Sequence, residues 1–298
     1  MPYAFEPADT SVADAFARIA AEQLDAAIAG AARPETVDKA GLHDLRKRIK
    51  KLRGLMRLFR PVLSGFGTEN AALRDAARAI AHLRDAQVRL GTFEGLRAGL
   101  PDDPALTALH ARLQDEAAEA AAHRNDAAIA AYGAALAGVR DRLPGLKLRA
   151  KGFAALRPGL ERTLAEARRG RKAAAAALAD PAFPAEPLHA WRTRAKQHWY
   201  QARLLAPIWP AMMAPHVQAA DDLGELLGDH NDIDVLLHHL ADAPPAALAL
   251  LEPVALARRR ALAGQAVALG RRLFADRPEA LADRWAVWWR AWRKDAAT

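Results

Sequence analysis

The sequence of 298 residues contains no cysteine, which excludes disulfide bonds and metal sites built on thiolates. Long hydrophobic runs are also missing, because charged residues interrupt every alanine-rich stretch before it reaches the roughly 18 apolar residues of a membrane span. The first residues show no basic region followed by an apolar one, so no secretory signal is expected. With 52% hydrophobic residues to form packed cores, these absences predict a soluble, cytoplasmic protein without a membrane partner.

Strand signals are nearly absent as well, since β-branched residues are few and no alternating apolar pattern persists. Helical periodicity runs through almost the whole chain and is interrupted where proline and glycine cluster. The interruptions lie at 33–34, 61–67, 100–104, 143–145, 181–187, 210–215 and 244–245. They predict an all-α fold with about eight main helices.

Positive charge is concentrated in two stretches, HDLRKRIKKLRGLMRLF from His43 and HAWRTRAKQHWYQARLL from His189. On a helix, each stretch separates into a polar, mostly basic stripe and an opposite apolar one. From His43 to Arg60 there are eight Lys or Arg and one acid, Asp44, so an anionic partner is needed to relieve the repulsion. The first stripe consists of His43, Arg46, Lys47, Lys50, Arg53 and Arg57, and the second of His189, Arg192, Lys196, Tyr200 and Arg203.

The two basic stretches belong to an internal duplication. Their histidines are 146 positions apart, and Leu-Arg-Asp-Ala-Gln at 83–87 matches Leu-Gly-Asp-His-Asn at 227–231 with aspartates 144 positions apart. We therefore expect two four-helix halves, residues 1–147 and 148–298, related by a pseudo-twofold axis. Such an axis can bring both basic stripes to one shared groove.

These residues resemble the CHAD family, the conserved histidine α-helical domain. The resemblance rests on HxxRxxxKKxR from His43 to Arg53, on HxxRxxxK from His189 to Lys196 with Tyr200 following, and on LGDHNDIDVL at 227–236. It extends to YAFEPADTSVADAFARIAAEQLDAA at 3–27 and GLERTLAEARRGRK at 159–172, and so covers nearly the whole chain.

The resemblance implies two pseudo-symmetric four-helix bundles, a basic central groove or pore, and binding of inorganic polyphosphate, often at polyphosphate granules. It adds Lys51, Arg169 and Lys172 to the candidate polyphosphate-binding residues. Sulfate or phosphate ions are expected to occupy the same groove in crystals. The second basic stretch has Thr193, Gln197 and Trp199 where the first has cations, so we expect the first stretch to contribute more electrostatic affinity.

The roles of His43 and His189 stay open between hydrogen bonding to a carboxylate or carbonyl and direct contact with phosphate. Neither has His, Asp or Glu three or four positions later, which disfavours metal ligation. The acidic stretch 221–240 lacks the glycine-centred loop of a calcium hand, so ion pairs with basic neighbours are expected there and no metal or cofactor is predicted. Trp285, Trp288, Trp289 and Trp292 have helical spacing, which predicts a terminal helix that docks on the core.

The leading hypothesis is non-enzymatic polyphosphate binding by a cytoplasmic protein that associates with polyphosphate granules. A nucleic-acid-binding protein is the first alternative, in which Trp199 and Tyr200 on the basic stripe would stack on bases. A metal-dependent phosphohydrolase is the less favoured one, with Asp229 and Asp232 as candidate metal-holding residues. The sequence has no glycine-rich phosphate loop and no Glu-x-Glu-x-Lys strand of the triphosphate-tunnel hydrolases to which CHAD modules are sometimes fused.

Overall fold

The computed structural model describes residues 3–81, 83, 85–122 and 125–296. This part of the chain contains eleven α-helices and no strand, so the predicted all-α fold class is confirmed. The helices are α1 (Val12–Ala31), α2 (Lys39–Phe59), α3 (Phe66–Ala79), α4 (Asp85–Arg97), α5 (Pro104–Ala122), α6 (Asp126–Arg142), α7 (Arg157–Ala179), α8 (Glu186–Leu205), α9 (Pro210–His239), α10 (Pro245–Leu273) and α11 (Pro278–Asp295).

The prediction of about eight helices was wrong, because three helix ends were missed; two of them have no proline or glycine before the next helix, and the third is followed by Pro278. These ends separate α3 from α4, α5 from α6, and α10 from α11. At the end of α3, the Arg46 guanidinium donates hydrogen bonds to the carbonyl oxygens of Ile80 and Ala81. A side chain from a different helix therefore satisfies carbonyls that would otherwise lack partners where α3 ends.

Helices α1, α2, α3 and α6 pack together on the N-terminal side of the molecule. Ser11 caps α1 by accepting a hydrogen bond from the Asp14 N–H, and Asp38 caps α2 in the same way through the Gly41 N–H. The apolar stripe of α2 is fully buried in this bundle. It consists of Leu45, Ile49, Leu52, Leu55, Met56 and Phe59. Its burial leaves the basic stripe of α2 on the outer face of the bundle.

Helices α7 to α10 form the C-terminal side, and α11 packs on α7. Trp285 and Trp289 of α11 are buried in the main core, and Trp289 meets Phe5 edge-on with ring centres 5.1 Å apart. The prediction that the terminal helix docks on the core is thus confirmed.

The hairpin of α4 and α5 packs mainly on α9 and α10. A second apolar cluster holds it there, with Phe93 and Leu113 of the hairpin buried beside Leu236 and Leu251. The segment 83–87 lies where α3 has ended and α4 begins, with Arg84 outside the described residues, whereas 227–231 lies inside α9. The internal duplication, the pseudo-twofold axis and the division after residue 147 stay predictions.

Two glycines allow α2 to cross its neighbours closely. A Cβ atom on Gly159 of α7 would lie 1.7 Å from the Leu58 carbonyl oxygen, and one on Gly54 would lie 2.7 Å from Tyr200 Cβ in α8. Only glycine fits at such distances. The contact at Gly54 brings α2 and α8, the two basic helices, side by side.

Candidate polyanion-binding cleft

The basic stripes of α2 and α8 face a common cleft of about 410 Å³, here called the α2–α8 cleft. Seven Lys or Arg residues contribute to its lining, which contains no acidic residue. The lining from α2 is His43, Arg46, Lys47, Lys50, Arg53, Gly54 and Arg57, and that from α8 is Arg192, Thr193, Lys196, Gln197, Trp199 and Tyr200.

Nine of the fourteen candidate residues from the sequence line this cleft, and the other five do not. Lys51 is buried, with its ammonium over the Tyr3 ring at 5.7 Å from the ring centre. Arg203 lies beside the cleft, over the ring of Trp199. Arg169 and Lys172 are exposed on α7 outside the lining, and so is His189 at the start of α8.

Arg57 and Arg53 are partly buried cations with little compensation. Burial and the nearby charges of Arg53, Arg194 and Arg60 lower the pKa of Arg57 to about 10, while the charge of Glu166 acts in the opposite direction. Burial also lowers the pKa of Arg53, with Arg74 as the next cause. In the described part of the chain, neither Arg53 nor Arg57 has a carboxylate within 4 Å. Both remain charged at neutral pH, so a bound anion would relieve their mutual repulsion.

Lys196 has a partial counter-charge, because its ammonium lies 3.5 Å from a carboxylate oxygen of Asp221 in α9. A Cβ atom on Gly224 would lie 2.6 Å from Lys196 Cε, so the lysine side chain crosses α9 where this helix has no side chain. In the same acidic stretch, Asp234 pairs with Arg259 at 3.0 Å. These two pairs agree with the prediction that the stretch forms ion pairs with basic neighbours.

The aromatic residues of the cleft are covered by their surroundings. Tyr200 is only 8% exposed, and its burial raises the pKa of the phenol to about 12, so the hydroxyl keeps its proton at neutral pH. The Lys196 ammonium and the Arg203 guanidinium lie over the Trp199 ring, 4.9 and 4.8 Å from its centre. The Trp199 ring therefore forms cation–π contacts with both Lys196 and Arg203.

The two histidines of the sequence motif have different surroundings. His189 Nδ1 lies 2.6 Å from the side-chain oxygen of Asn231 in α9, which fits the structural role in which this histidine donates to a carbonyl. His43 lines the α2–α8 cleft. Direct phosphate contact by either histidine stays a prediction.

Sequence reasoning missed a second basic surface on the other side of α2. This α2–α3 groove, of about 380 Å³, is lined by Arg46, Lys50 and Arg53 together with Arg74 and Arg78 of α3. The four-residue spacing of Arg74 and Arg78 places both on one helix face. The two arginines were not recognised in the sequence, because Asp75 lies between them and the second half of the chain has no corresponding basic pair.

No group of three or more His, Cys, Asp or Glu side chains is arranged to hold a metal ion among the described residues. Asp229 and Asp232 line a separate cleft with Lys39 and Arg258, and burial, reinforced by Asp232, raises the pKa of Asp229. Among the helices described, none is both long and apolar enough to cross a bilayer.

Comparisons with known proteins agree on one family. The family model of the CHAD domain matches residues 15–241. The crystal structure of the CHAD domain from the plant Ricinus communis is similar to this chain, with a TM-score of 0.56 and 21% sequence identity over 92% of this chain and 96% of that one. At this identity the likeness shows the fold alone. No curated protein matches the sequence.

Proposed function

This chain belongs to the CHAD family, and we propose that it binds inorganic polyphosphate in the α2–α8 cleft without catalysing a reaction. The observation that carries this proposal is the lining of the cleft, in which two helices contribute seven Lys or Arg residues and no acid. Arg53 and Arg57 are partly desolvated there, so a phosphate chain would gain more from each contact than it would at an exposed cation.

The dimensions of the cleft suit a linear polymer. From His43 to Arg57, the cations of α2 extend over about 21 Å at 1.5 Å per residue, enough for several successive phosphates. Arginine guanidinium groups can each hold two phosphate oxygens, and lysine contributes a flexible point charge. Because binding would release counterions, we expect affinity to fall steeply as salt concentration rises.

The test removes three cleft cations while keeping the contacts that hold helices together. We expect Lys50→Ala/Arg57→Ala/Arg192→Ala to weaken long-chain polyphosphate binding by more than about tenfold with unchanged helicity. A matched control, Arg33→Ala/Lys151→Ala/Arg290→Ala, removes the same charge at exposed positions outside the cleft lining. An equal loss of affinity in both triple variants would mean that net charge, and not this cleft, binds the polymer.

Nucleic acid is the second candidate ligand, because an aromatic residue, Trp199, lines the cleft. The cations over its ring, Lys196 and Arg203, occupy positions that a stacked base would need. We therefore expect polyphosphate to displace single-stranded DNA or RNA from the protein at fixed salt concentration. Tighter retention of nucleic acid would favour the second candidate.

Binding without catalysis and association with polyphosphate granules belong to the same proposal. Phosphate release that requires Mg²⁺ or Mn²⁺ and disappears in Asp229→Ala or Asp232→Ala would contradict the first part. A fluorescent fusion should accumulate at cytoplasmic granules, and the triple cleft variant should be diffuse. Equal accumulation of both fusions would contradict the second part.

A further inference from the structure

The basic lining of the α2–α8 cleft continues over α2 onto α3. The α2–α3 groove shares Arg46, Lys50 and Arg53 with the cleft and adds Arg74 and Arg78, and its lining contains no acidic residue. The two basic surfaces are therefore joined along α2.

Arg53 connects the two surfaces, because it lines both of them. Burial is the largest cause that lowers the pKa of the Arg53 guanidinium, and the positive charges of Arg74 and Arg78 lower it further. Its Nε–H is buried and has no hydrogen-bond acceptor within the described part of the chain. An anion between α2 and α3 would meet three arginines whose repulsion it relieves.

Asp75 forms ion pairs with Arg74 and Arg78, the two arginines of α3 that line the groove. Arg74 donates two hydrogen bonds to its carboxylate, at 2.9 and 3.2 Å, and Arg78 lies 3.8 Å from the same group. The three side chains are exposed, so these pairs are screened by solvent and contribute little to stability. A polyvalent anion can therefore replace Asp75 as the partner of Arg74 and Arg78 with little loss of free energy.

We propose that the α2–α3 groove is a second phosphate-binding site that extends the α2–α8 cleft across α2 and gives the protein a preference for long polyphosphate chains. A short chain fills the cleft alone, whereas a long chain bound in the cleft also presents phosphates to Arg74 and Arg78 at high effective concentration. This inference rests on the proposed polyphosphate binding and adds chain-length selectivity to it.

The double variant Arg74→Ala/Arg78→Ala tests the groove. We expect its dissociation constant for long-chain polyphosphate to rise about fivefold while that for tripolyphosphate changes less than about twofold, in isothermal titration at fixed salt. Both side chains are exposed and alanine favours helix, so α3 should keep its fold, which circular dichroism checks. The matched control is Arg33→Ala/Arg290→Ala, for which we expect an unchanged ratio of the two affinities.

Asp75→Asn provides the opposite change, because it removes the carboxylate that competes with phosphate for Arg74 and Arg78. We expect it to tighten long-chain binding by about twofold and to leave tripolyphosphate binding unchanged. An unchanged long-to-short affinity ratio in both α3 variants would overturn the inference. If instead the triple cleft variant bound tripolyphosphate as well as the wild type, the proposed function itself would fail.

Discussion

At the scale of single residues, the cations of the α2–α8 cleft are placed at a cost to stability. Arg57 is desolvated and lies near the charges of Arg53, Arg194 and Arg60, with Glu166 as a weaker opposing charge. In the described structure no carboxylate lies within 4 Å of Arg57. A fold that keeps such a residue loses free energy in the absence of a ligand. Binding of an anion recovers that free energy, and so this position links ligand affinity to stability.

Arg57→Met should separate these two effects. We expect the variant to be about 1 kcal/mol more stable than the wild type without ligand, because a flexible apolar side chain replaces a desolvated charge. The same variant should gain less stability than the wild type when long-chain polyphosphate is added. Urea unfolding with and without the polymer measures both quantities, and a variant less stable than the wild type in its absence would refute this account of Arg57.

A buried histidine pair lies apart from the cleft. His198 Nε2 and His216 Nε2 are 2.8 Å apart beside Trp285 and Phe274. Burial lowers the pKa of His198 well below its usual value, and the neighbouring His216 adds to this. Burial, followed by the charge of Arg284, lowers the pKa of His216 to about 4. Both rings are therefore neutral in the folded protein at pH values where an unfolded chain protonates them.

This pair makes the protein sensitive to acid. Because the unfolded state binds protons near pH 6.5 and the folded state does not, stability should fall as the pH drops below that value. His216 alone should lower the free energy of unfolding by about 2 kcal/mol as the pH falls from 7 to 5. His216→Gln, which can still hydrogen-bond His198, should show a smaller decrease of unfolding free energy over this interval. The idea fails if wild type and variant lose stability equally.

At the scale of helices, the crossing of α2 and α8 decides where the cleft lies. Gly54→Ala would place a Cβ atom 2.7 Å from Tyr200 Cβ and 3.0 Å from Tyr200 Cγ, atoms near the backbone that cannot easily move aside. We expect this change to destabilise the fold by about 1–2 kcal/mol and to weaken polyphosphate binding by moving the two helices apart. Urea unfolding and titration measure the two effects.

Gly95→Ala on α4 is the matched control. In the described structure, a Cβ atom there meets nothing within 4 Å outside its own helix. Because alanine favours helix over glycine, the substitution should raise the free energy of unfolding by about 1 kcal/mol and leave polyphosphate binding unchanged. If Gly54→Ala behaved like Gly95→Ala, close helix contact could not be the reason for glycine at position 54.

The helices themselves were largely predictable, because apolar periodicity and proline clusters are local signals. The predicted breaks at 61–67 and 244–245 overlap the boundaries between α2 and α3 and between α9 and α10. The end of α3 was not predictable, since the carbonyls there are satisfied by Arg46, thirty-four residues away from Ile80. The predicted break at 210–215 was partly wrong, since α9 begins at Pro210, where a missing N–H is not needed, but continues with Pro215 in its interior.

At the scale of the whole molecule, helical periodicity shows which residues share one face of a helix, but it does not show which other helix packs against that face. Nine candidate residues from the basic stripes of α2 and α8 line the cleft between these helices. Arg169 and Lys172 lie on α7 outside that lining, while Arg74 and Arg78 of α3 line the neighbouring α2–α3 groove. Both differences depend on helix packing between distant segments, which periodicity cannot supply.

The arrangement of the helices also keeps two carboxylates out of the lining of the α2–α8 cleft. The α2–α8 cleft collects seven cations, whereas Asp229 and Asp232 line a different cleft near the α4–α5 hairpin. This hairpin packs on α9 and α10 through its own apolar cluster. A polyanion in the basic cleft would thus meet cations along its length and few like charges.

The central claim is that a phosphate polymer binds between α2 and α8. A crystal structure of the protein with short-chain polyphosphate tests this most directly. We predict phosphate groups within hydrogen-bond distance of Arg57 and Arg192, with the chain directed along α2. Phosphates bound only at exposed arginines elsewhere, such as Arg271 and Arg272, with the α2–α8 cleft empty in the same crystal, would contradict the account.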